Sequence, residues 1–338
     1  MKKILFLFAI TVVALTACDN RDEPVPVPVE DTNNLYLAAN GLTGFPEAIY
    51  DLDGNTIYRS EEGDHIKSLV ADGSDWYAVI LKTDGASHVV KNGKTIYKTG
   101  ETIWCFDVEN GSVYTVQESK VMNTVWVNKD FQRLYELPDN VYYNTFTVEQ
   151  GNVVMGIYDE NASYWNNGEI TPVVGLDDGF DWIYGIDKKG DNMLITYSGI
   201  NNRKYMYWWN GTSQELPAGF CPSMSRIVNG HAFILGQKKT SSGIGGVNGV
   251  PAVIIDGVET LLSEQKGFAA VQVAQQGMDT YILVNDVRSD SGRSMLYRNM
   301  QQVTMPSNIV IPQELLQHYS QYGTMISLTE LGIIDIAS

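Results

Sequence analysis

Carboxylates beside aromatic rings are the residues in this sequence best suited to catalysis. The stretch GLDDGFDWIYG (175–185) sets three acids among three aromatic residues: Asp177, Asp178 and Asp181 beside Phe180, Trp182 and Tyr184. Two acids at a fixed separation can hydrolyse a glycosidic bond, one protonating the leaving oxygen and the other acting as nucleophile or base. A solvated loop that leads into a core strand explains the same stretch more simply, so catalysis is the weaker interpretation.

Motifs for metals, phosphates and activated serines are absent from the sequence. The four histidines, at 65, 88, 231 and 318, form no HxH or HExxH spacing. DLDGN (51–55) resembles part of a calcium loop, but the ligands that would complete it are missing. The glycine-rich SSGIGGVNG (241–249) lacks the GK[ST] of a phosphate-binding loop, and no GxSxG occurs. We therefore expect neither a metal nor a cofactor.

The net charge limits the possible partners, and the cysteine spacing limits the possible disulfides. The formal net charge is −17. Affinity for nucleic acid comes mainly from Lys and Arg on phosphates, so we expect no nucleic-acid partner. Beyond Cys18, the cysteines are Cys105 and Cys221, which are far apart and form no CxxC. They are expected to be buried free thiols rather than a disulfide.

The N-terminal 18 residues have a three-part pattern. MKK supplies positive charge, ILFLFAITVVAL is apolar, and LTAC closes the segment. The apolar run is too short for a membrane-spanning helix. The pattern resembles a bacterial lipoprotein signal peptide, which implies that residues 1–17 are removed and that Cys18 carries the lipid. An ordinary secretory peptide with an incidental cysteine is the alternative.

Residues 18–33 are predicted to be a stalk between the lipid and the folded domain. The segment DNRDEPVPVPVEDTNN (19–34) alternates Pro with Val, which favours extended polyproline II, and its acids keep it solvated. The acids after Cys18 resemble the surface-export signal of Bacteroides-type lipoproteins, which implies an outer-membrane location. Under the enterobacterial rule, Asp19 would instead imply retention at the inner membrane.

A short apolar strand followed by a tight turn recurs along the remainder, 34–338. Asn-Gly and Asp-Gly between β-type runs predict type I′ hairpins, which need positive φ at both central residues. The seven turns start 36 to 46 residues apart: Asp53-Gly54, Asn92-Gly93, Asn128-Lys129, Asn167-Gly168, Asn210-Gly211, Asp256-Gly257 and Asn299-Met300. A second hairpin precedes each turn strand, as in WCFDVENGSVYTV (104–116), so one unit comprises four strands, A to D.

Four-stranded antiparallel units at this period predict an all-β fold, a single β-propeller. Seven turns indicate seven blades, and six or eight also fit. NLYLAANG (34–41) is similar to a strand B without a strand A, and GIIDIAS (332–338) is similar to a strand A. The C-terminal strand is therefore predicted to complete the N-terminal blade, although MISLTELGIIDIA (325–337) also reads as a complete A–B hairpin.

The aromatic run YMYWW (205–209) is predicted to be a strand C that is covered on both faces. Positions 205, 207 and 209 would face one neighbouring blade, and 206 and 208 the other. PSNIVIPQELLQHYSQYGT (306–324) interrupts the repeat and is predicted to be a short helix or loop over one mouth of the ring. Together with the N-terminal features, these repeats resemble the lipid-anchored β-propeller lipoproteins of Bacteroides-type bacteria.

In a propeller the D–A and B–C loops share one face, here called the loop face. We predict the ligand site there. Its D–A loops carry aromatic and acidic residues, and its B–C loops carry basic ones: Tyr142, Tyr143, Asp177, Asp178, Phe180, Trp182 and Phe220, with Lys82, Lys120, Arg203, Lys204, Lys238, Lys239, Arg288 and Arg293. Six of the basic residues would form a positive arc for an acidic polysaccharide, with Trp182 or Tyr143 beneath a sugar ring: Arg203, Lys204, Lys238, Lys239, Arg288 and Arg293. Long polar loops also attract Lys and Arg for solubility alone.

Three functions fit these features. The first is a monomeric, non-enzymatic binding module of the cell envelope, with a glycan or an envelope protein as its partner. The second is a propeller glycoside hydrolase or polysaccharide lyase. The third is a scaffold subunit of an envelope complex. We favour binding because the sequence offers no convincing catalytic constellation.

Overall fold

The computed structural model contains seven four-stranded antiparallel sheets, and the protein is a seven-bladed β-propeller. It describes residues 35–40, 47–119, 124–157, 162–174, 176, 180–199, 204–240, 248–287, 294–304 and 332–337, with side chains at 39–40, 142–144 and 332–337 left out. Within these ranges no helix is long and apolar enough to cross a membrane.

Each blade runs from an innermost strand A to an outermost strand D. Blade 1 contains β28 (Gly332–Ala337), β1 (Tyr36–Asn40), β2 (Ala48–Asp51) and β3 (Thr56–Arg59). Blade 2 contains β4 (His65–Asp72), β5 (Asp75–Leu81), β6 (Ser87–Lys91) and β7 (Lys94–Thr99). Blade 3 contains β8 (Thr102–Glu109), β9 (Ser112–Glu118), β10 (Val125–Lys129) and β11 (Gln132–Glu136).

The remaining blades follow the same order. Blade 4 contains β12 (Val141–Glu149), β13 (Asn152–Ile157), β14 (Ser163–Asn166) and β15 (Glu169–Pro172). Blade 5 contains β16 (Phe180–Lys189), β17 (Asn192–Gly199), β18 (Tyr205–Trp209) and β19 (Thr212–Glu215). Blade 6 contains β20 (Phe220–Val228), β21 (His231–Lys239), β22 (Gly249–Ile255) and β23 (Val258–Leu261). Blade 7 contains β24 (Phe268–Gln276), β25 (Asp279–Asp286), β26 (Ser294–Arg298) and β27 (Gln301–Val303).

The C-terminal strand closes the ring. β28 pairs antiparallel with β1, in the register Tyr36↔Ala337 and Leu37↔Ile336. The prediction that the chain's last strand completes its first blade is confirmed. Because β1 already holds the second position in that sheet, the alternative of a complete A–B hairpin over 325–337 is wrong. The helix predicted within 306–324 lies outside the described residues.

Apolar side chains fill every junction between neighbouring blades. Seven clusters of buried residues correspond to the seven junctions. In strand β18, Tyr207 packs with Phe220 and Ile234 of blade 6. Trp208 points the other way, into the cluster that contains Val154 of blade 4. The aromatic run therefore belongs to the core on both of its faces, as the alternation predicted.

An Asn or Asp side chain fastens the C–D turn of six blades to the start of strand B. In blade 5, Asn210 has φ 46°. Its Oδ1 accepts the N–H of Met193 at 2.8 Å, and its own N–H donates to the carbonyl of Met193 at 3.3 Å. The same pair of bonds recurs at Asn92 with Trp76, Asp130 with Val113, Asn167 with Val153, Asp256 with Ala232, and Asn299 with Thr280.

The turn of blade 3 corrects one prediction. Asn128 and Lys129 belong to β10, and the turn residues are Asp130 and Phe131, with φ 47° and 65°. Asn128 is buried, and its Nδ2 lies 3.4 Å from the hydroxyl of Thr115. Asp130 supplies the carboxylate that the N–H of Val113 needs, so the fastening contact decides the position of the turn.

We predict that removing 332–338 destabilises the whole domain. Without β28, strand β1 keeps an unpaired edge, and blade 1 loses its inner strand. We expect a fall in Tm of about 10 °C or more by circular dichroism. Deletion of 19–33 is the control and should leave the Tm unchanged. Equal melting of the two truncated chains would disprove the closure.

Asn210 allows a sharper test of the turn contact. Asn210→Ala removes the acceptor of the Met193 N–H and should cost about 1–3 kcal/mol of unfolding free energy in urea. Asn210→Asp keeps that acceptor, which Asp130 and Asp256 supply in other blades, and should cost less than half as much. A similar loss in both variants would show that the acceptor is unimportant.

Candidate functional site

The inner strands enclose a cavity of about 560 Å³ on the ring axis. Its wall includes residues of β4, β8, β12, β16, β20 and β24, with charged groups at Asp107, Asp187, Lys189 and Arg226. These residues lie in the C-terminal halves of their strands. The cavity therefore lies towards the face of the A–B and C–D turns, here called the turn face, and away from the loop face where we predicted the site.

Two carboxylates of the cavity wall join neighbouring inner strands. Asp107 of β8 accepts the N–H of Val108 at 2.8 Å and that of Val148, in β12, at 3.3 Å. Asp187 of β16 accepts the N–H of Ile227, in β20, at 2.7 Å, as well as the hydroxyl of Thr147 at 3.0 Å. The innermost strand of each blade has no further strand to pair with along its inner edge. These carboxylates accept hydrogen bonds from some of the backbone N–H groups there.

Burial changes how the charged groups of the cavity titrate. It raises the pKa of the Asp107 carboxyl to about 6, against the opposing charge of Arg226 and the two backbone N–H donors. Burial also acts to lower the pKa of Lys189. The charges of Asp187 and Glu149, and a hydrogen bond to Glu149, outweigh this effect, so the pKa of Lys189 lies above its ordinary value.

Two half-exposed tryptophans occupy the opposite halves of their inner strands, towards the loop face. Trp104 of β8 is 46% exposed, and Trp182 of β16 is 47% exposed. The Nε1 of Trp104 donates to Glu118 at 2.7 Å, and the Nζ of Lys67, from blade 2, lies 4.7 Å from its ring centre. These contacts hold one face of the indole in place while much of its surface stays open.

A β-bulge in the inner strand explains why Trp104 is presented in this way. Its neighbours Ile103 and Cys105 pair with consecutive residues of β9, so Trp104 is the extra residue. β4, β16, β20 and β24 carry the bulge at the same distance from the strand end, at Lys67, Tyr184, Ser223 and Val271. An extra residue bends its strand and redirects a side chain.

The predicted aromatic site residues differ in their exposure to solvent. Phe180 and Phe220 are 0% and 1% exposed and belong to the core between blades, so neither ring is accessible to a ligand. Trp182 is exposed, as required for a platform. Tyr142 and Tyr143 lie at the start of β12, but their side chains, like Asp177 and Asp178, are outside the described part of the chain.

Ion pairs reduce the charge of the predicted positive arc. Lys82, a basic B–C loop residue outside the predicted arc, contacts Glu61 at 2.7 Å and also pairs with Asp64. Lys204 pairs with Glu215 and Lys238 with Glu259, each at 2.6 Å. Lys239 is exposed, and Lys120, Arg203, Arg288 and Arg293 lie outside the described residues. Two of the three arc lysines, Lys204 and Lys238, thus have carboxylate partners.

Sequence reasoning missed the cavity residues Asp107, Asp187, Lys189 and Arg226. A signal for three of them is present in the repeats. Aligned on the end of strand A, DVENG (107–111), TVEQG (147–151), DKKG (187–190) and RIVNG (226–230) all begin with a polar residue two positions before that end. This periodic polar position in an inner strand marks the channel wall.

The remaining candidates for chemistry are modest. Cys105 and Cys221 are free thiols, but each is only partly exposed to solvent rather than fully buried as predicted. Burial raises the pKa of Cys105 to about 12, which disfavours the reactive thiolate. Within the described ranges, no three His, Cys, Asp or Glu side chains come together as metal ligands.

Comparisons with known proteins support the fold. No family model matches the sequence, and no curated protein matches it. The structure is similar to an acylaminoacyl peptidase of Pyrococcus horikoshii, with a TM-score of 0.53 and 12% identity, over 80% of this chain and 50% of that one. It is also similar to the β-propeller domain of the Trilobed protease of Pyrococcus furiosus, with a TM-score of 0.51 and 10% identity, over 79% of this chain and 89% of that one.

These similarities establish the propeller fold alone. The Pyrococcus furiosus domain is described as having an open velcro topology, whereas β28 and β1 close the ring here. The match to the Pyrococcus horikoshii peptidase spans half of that protein.

The titration of Asp107 gives a testable pH dependence. Its folded pKa of about 6 exceeds the ordinary 3.8, so the native state takes up a proton as the pH falls from about 6 to 4. The ionised carboxyl therefore costs stability at pH 7, on the order of 3 kcal/mol, and acid relieves this cost. Relative to Asp107→Asn, the wild type should gain stability between pH 7 and pH 4 in urea titrations. Parallel profiles of the two proteins would contradict the assignment.

Proposed function

We propose that this protein is a non-enzymatic glycan-binding module of the cell envelope. The observation that carries the proposal is the pair of half-exposed tryptophans, Trp104 and Trp182, on inner strands towards the loop face. An exposed indole offers a flat apolar surface for a sugar ring, and nearby polar groups orient the hydroxyls. Glu118 and Lys67 supply such groups beside Trp104.

The tryptophans lie on strands, which favours a binding site that is already formed before the ligand arrives. Sites built on strands are held more firmly than sites on loops. The Nζ of Lys67 donates to the carbonyl of Ile103 at 2.5 Å while lying over the ring of Trp104, so two blades fix the indole together. A ligand that stacks on Trp104 would therefore pay little to order its site.

The chemistry of the cavity favours binding over hydrolysis. A glycosidase needs two carboxyl groups that can reach the scissile bond. The two carboxylates of the cavity wall, Asp107 and Asp187, instead use their oxygens to hold backbone N–H groups of adjacent strands. The raised pKa of Asp107 follows from its burial and does not need a catalytic explanation.

The envelope location rests on the N-terminal sequence. The signal-like segment 1–17, the acceptor Cys18 and the Pro-rich stalk 18–33 support anchoring by a lipid, with the propeller as a monomeric domain beyond the stalk. Attachment of lipid to Cys18, location at the outer membrane and exposure at the cell surface are all part of the proposal. An envelope protein as partner, with the propeller as scaffold, is the competing outcome.

The binding experiment compares tryptophan variants on a glycan array. The detergent-solubilised protein should bind a subset of glycans, and Trp104→Ala and Trp182→Ala should each weaken binding about tenfold, as loss of a stacking surface predicts. Trp126→Ala is the matched control. That indole lies in the outer part of blade 3, 4.9 Å from the guanidinium of Arg133, and its loss should leave glycan affinity unchanged.

Parallel experiments separate the competing outcomes. A pull-down from envelope extracts that captures a protein, with no glycan bound on the array, would favour the scaffold. A Lys238, Lys239, Arg288 and Arg293 alanine variant that loses salt-sensitive binding of acidic glycans would move the site to the positive arc. Equal glycan binding by the wild type and both tryptophan variants would refute the proposed site.

A further inference from the structure

Carboxylates link the inner ends of successive blades on the turn face. Asp72, the last residue of β4, accepts the N–H of Gly111 in the A–B turn of blade 3 at 2.5 Å. Glu109, the last residue of β8, accepts the N–H groups of both Gln150 and Gly151 in blade 4, the latter at 2.6 Å. Glu149, the last residue of β12, accepts the N–H of Gly190 in blade 5 at 3.0 Å.

The junctions that follow blades 5, 6 and 7 lack this acid, because β16 ends at Lys189, β20 at Val228 and β24 at Gln276. The junction between blades 5 and 6 is the one where a cation takes its place. The last residue of β16 is Lys189, where blades 2 to 4 carry an acid. The turn that an acid would contact, Asn229-Gly230, has φ 52° and 77°. The carboxylate-bound turn Gln150-Gly151 has nearly the same values, 52° and 75°. The backbone of blade 6 thus has the form that binds a carboxylate elsewhere in the ring, and the chain supplies a cation instead.

Arg226 adds a second cation at the same junction. It lies two residues before the end of β20, is partly buried and lines the cavity beside Lys189. Its guanidinium makes no hydrogen bond and no ion pair within 4.0 Å with any of the described residues. Its five N–H donors are well suited to planar carboxylates. Asp107, the acid whose titration it influences, is committed to the backbone of β8 and β12.

We propose that the blade 5–6 junction binds the carboxylate of an external ligand. The A–B turn amides of Asn229 and Gly230 would hold it as the amides of Gln150 and Gly151 hold Glu109, with Lys189 and Arg226 supplying positive charge. Successive backbone N–H groups in a turn form a concave anion site. The ligand class is a small organic acid, or the acidic residue of a larger molecule that enters from the turn face.

The negative groups around the junction do not prevent this binding. Glu149 lies 3.2 Å from Lys189 but also accepts the N–H of Gly190. Asp187 receives N–H groups of Lys188 and Ile227 and the hydroxyl of Thr147, which partly offset its charge. Lys189 is half exposed and keeps further N–H donors beyond its contact with Glu149.

The test uses acetate as the probe and acetamide as its neutral counterpart. In the ¹⁵N-labelled full-length protein, at constant ionic strength, acetate should shift the amide resonances of Asn229 and Gly230 saturably, and acetamide should not. Lys189→Glu restores the acid found in blades 2 to 4, so the protein would occupy its own site. We expect this variant to fold and to lose acetate affinity by about tenfold or more.

Two further variants keep the result interpretable. Lys189→Gln and Arg226→Gln remove one charge each and should weaken acetate binding several-fold, whereas Lys188→Gln, the adjacent lysine, should leave it unchanged. Absence of a saturable shift in the wild type, an equal response to acetamide, or full acetate affinity in Lys189→Glu would each overturn the proposal. This site lies at the opposite end of the inner strands from Trp104, so its failure would leave the glycan proposal intact.

Discussion

Each blade of this protein is a sheet with two apolar faces, and neither face is stable in water unless a neighbouring blade covers it. This requirement can be met for every blade only if the ring closes. Leu37 of blade 1 packs with Leu283 of blade 7, and Ile49 packs with Ile66 of blade 2, so the blade completed by β28 is covered on both sides like the others. The N- and C-terminal strands therefore complete the two junctions of blade 1, with blade 7 on one side and blade 2 on the other.

Closure leaves the innermost strands with edges that no further strand can pair. Side chains at fixed distances from the end of strand A accept hydrogen bonds from some of these edge N–H groups. Asp107 and Asp187 satisfy backbone N–H groups across the channel wall, while Asp72, Glu109 and Glu149 do so on the turn face. These contacts act between adjacent blades and add directional hydrogen bonds to apolar packing, which by itself would not fix the register of one blade against the next.

Positions that depart from the repeat are where binding is proposed. Trp104 and Lys67 occupy the bulge position, where the corresponding residues of blades 6 and 7 are Ser223 and Val271. Lys189 replaces the terminal acid of blades 2 to 4. A residue that serves the repeat is constrained by its contacts with neighbouring blades. Trp104 and Lys189 also contact neighbouring blades, through Lys67 and Glu149, but each keeps exposed surface that a ligand can meet. The two ends of the channel therefore present different chemistry.

The blades could be predicted from the sequence because each one depends on local turn chemistry and strand alternation. Asn-Gly and Asp-Gly turns, the alternation in YMYWW and the unpaired strands at the two ends predicted the seven-bladed closed ring. The prediction placed the turn of blade 3 at Asn128-Lys129 instead of Asp130-Phe131, because its position depends on a contact of Asp130 with Val113 in another strand. Only the tertiary structure could bury Phe180 and Phe220, pair Lys204 and Lys238 with carboxylates, and bring Asp107, Lys189 and Arg226 to one cavity. The two ion pairs depend on which residues meet across the strands of one blade, and the buried rings and the cavity depend on which residues meet across neighbouring blades. Local sequence patterns carry no information about contacts of that range.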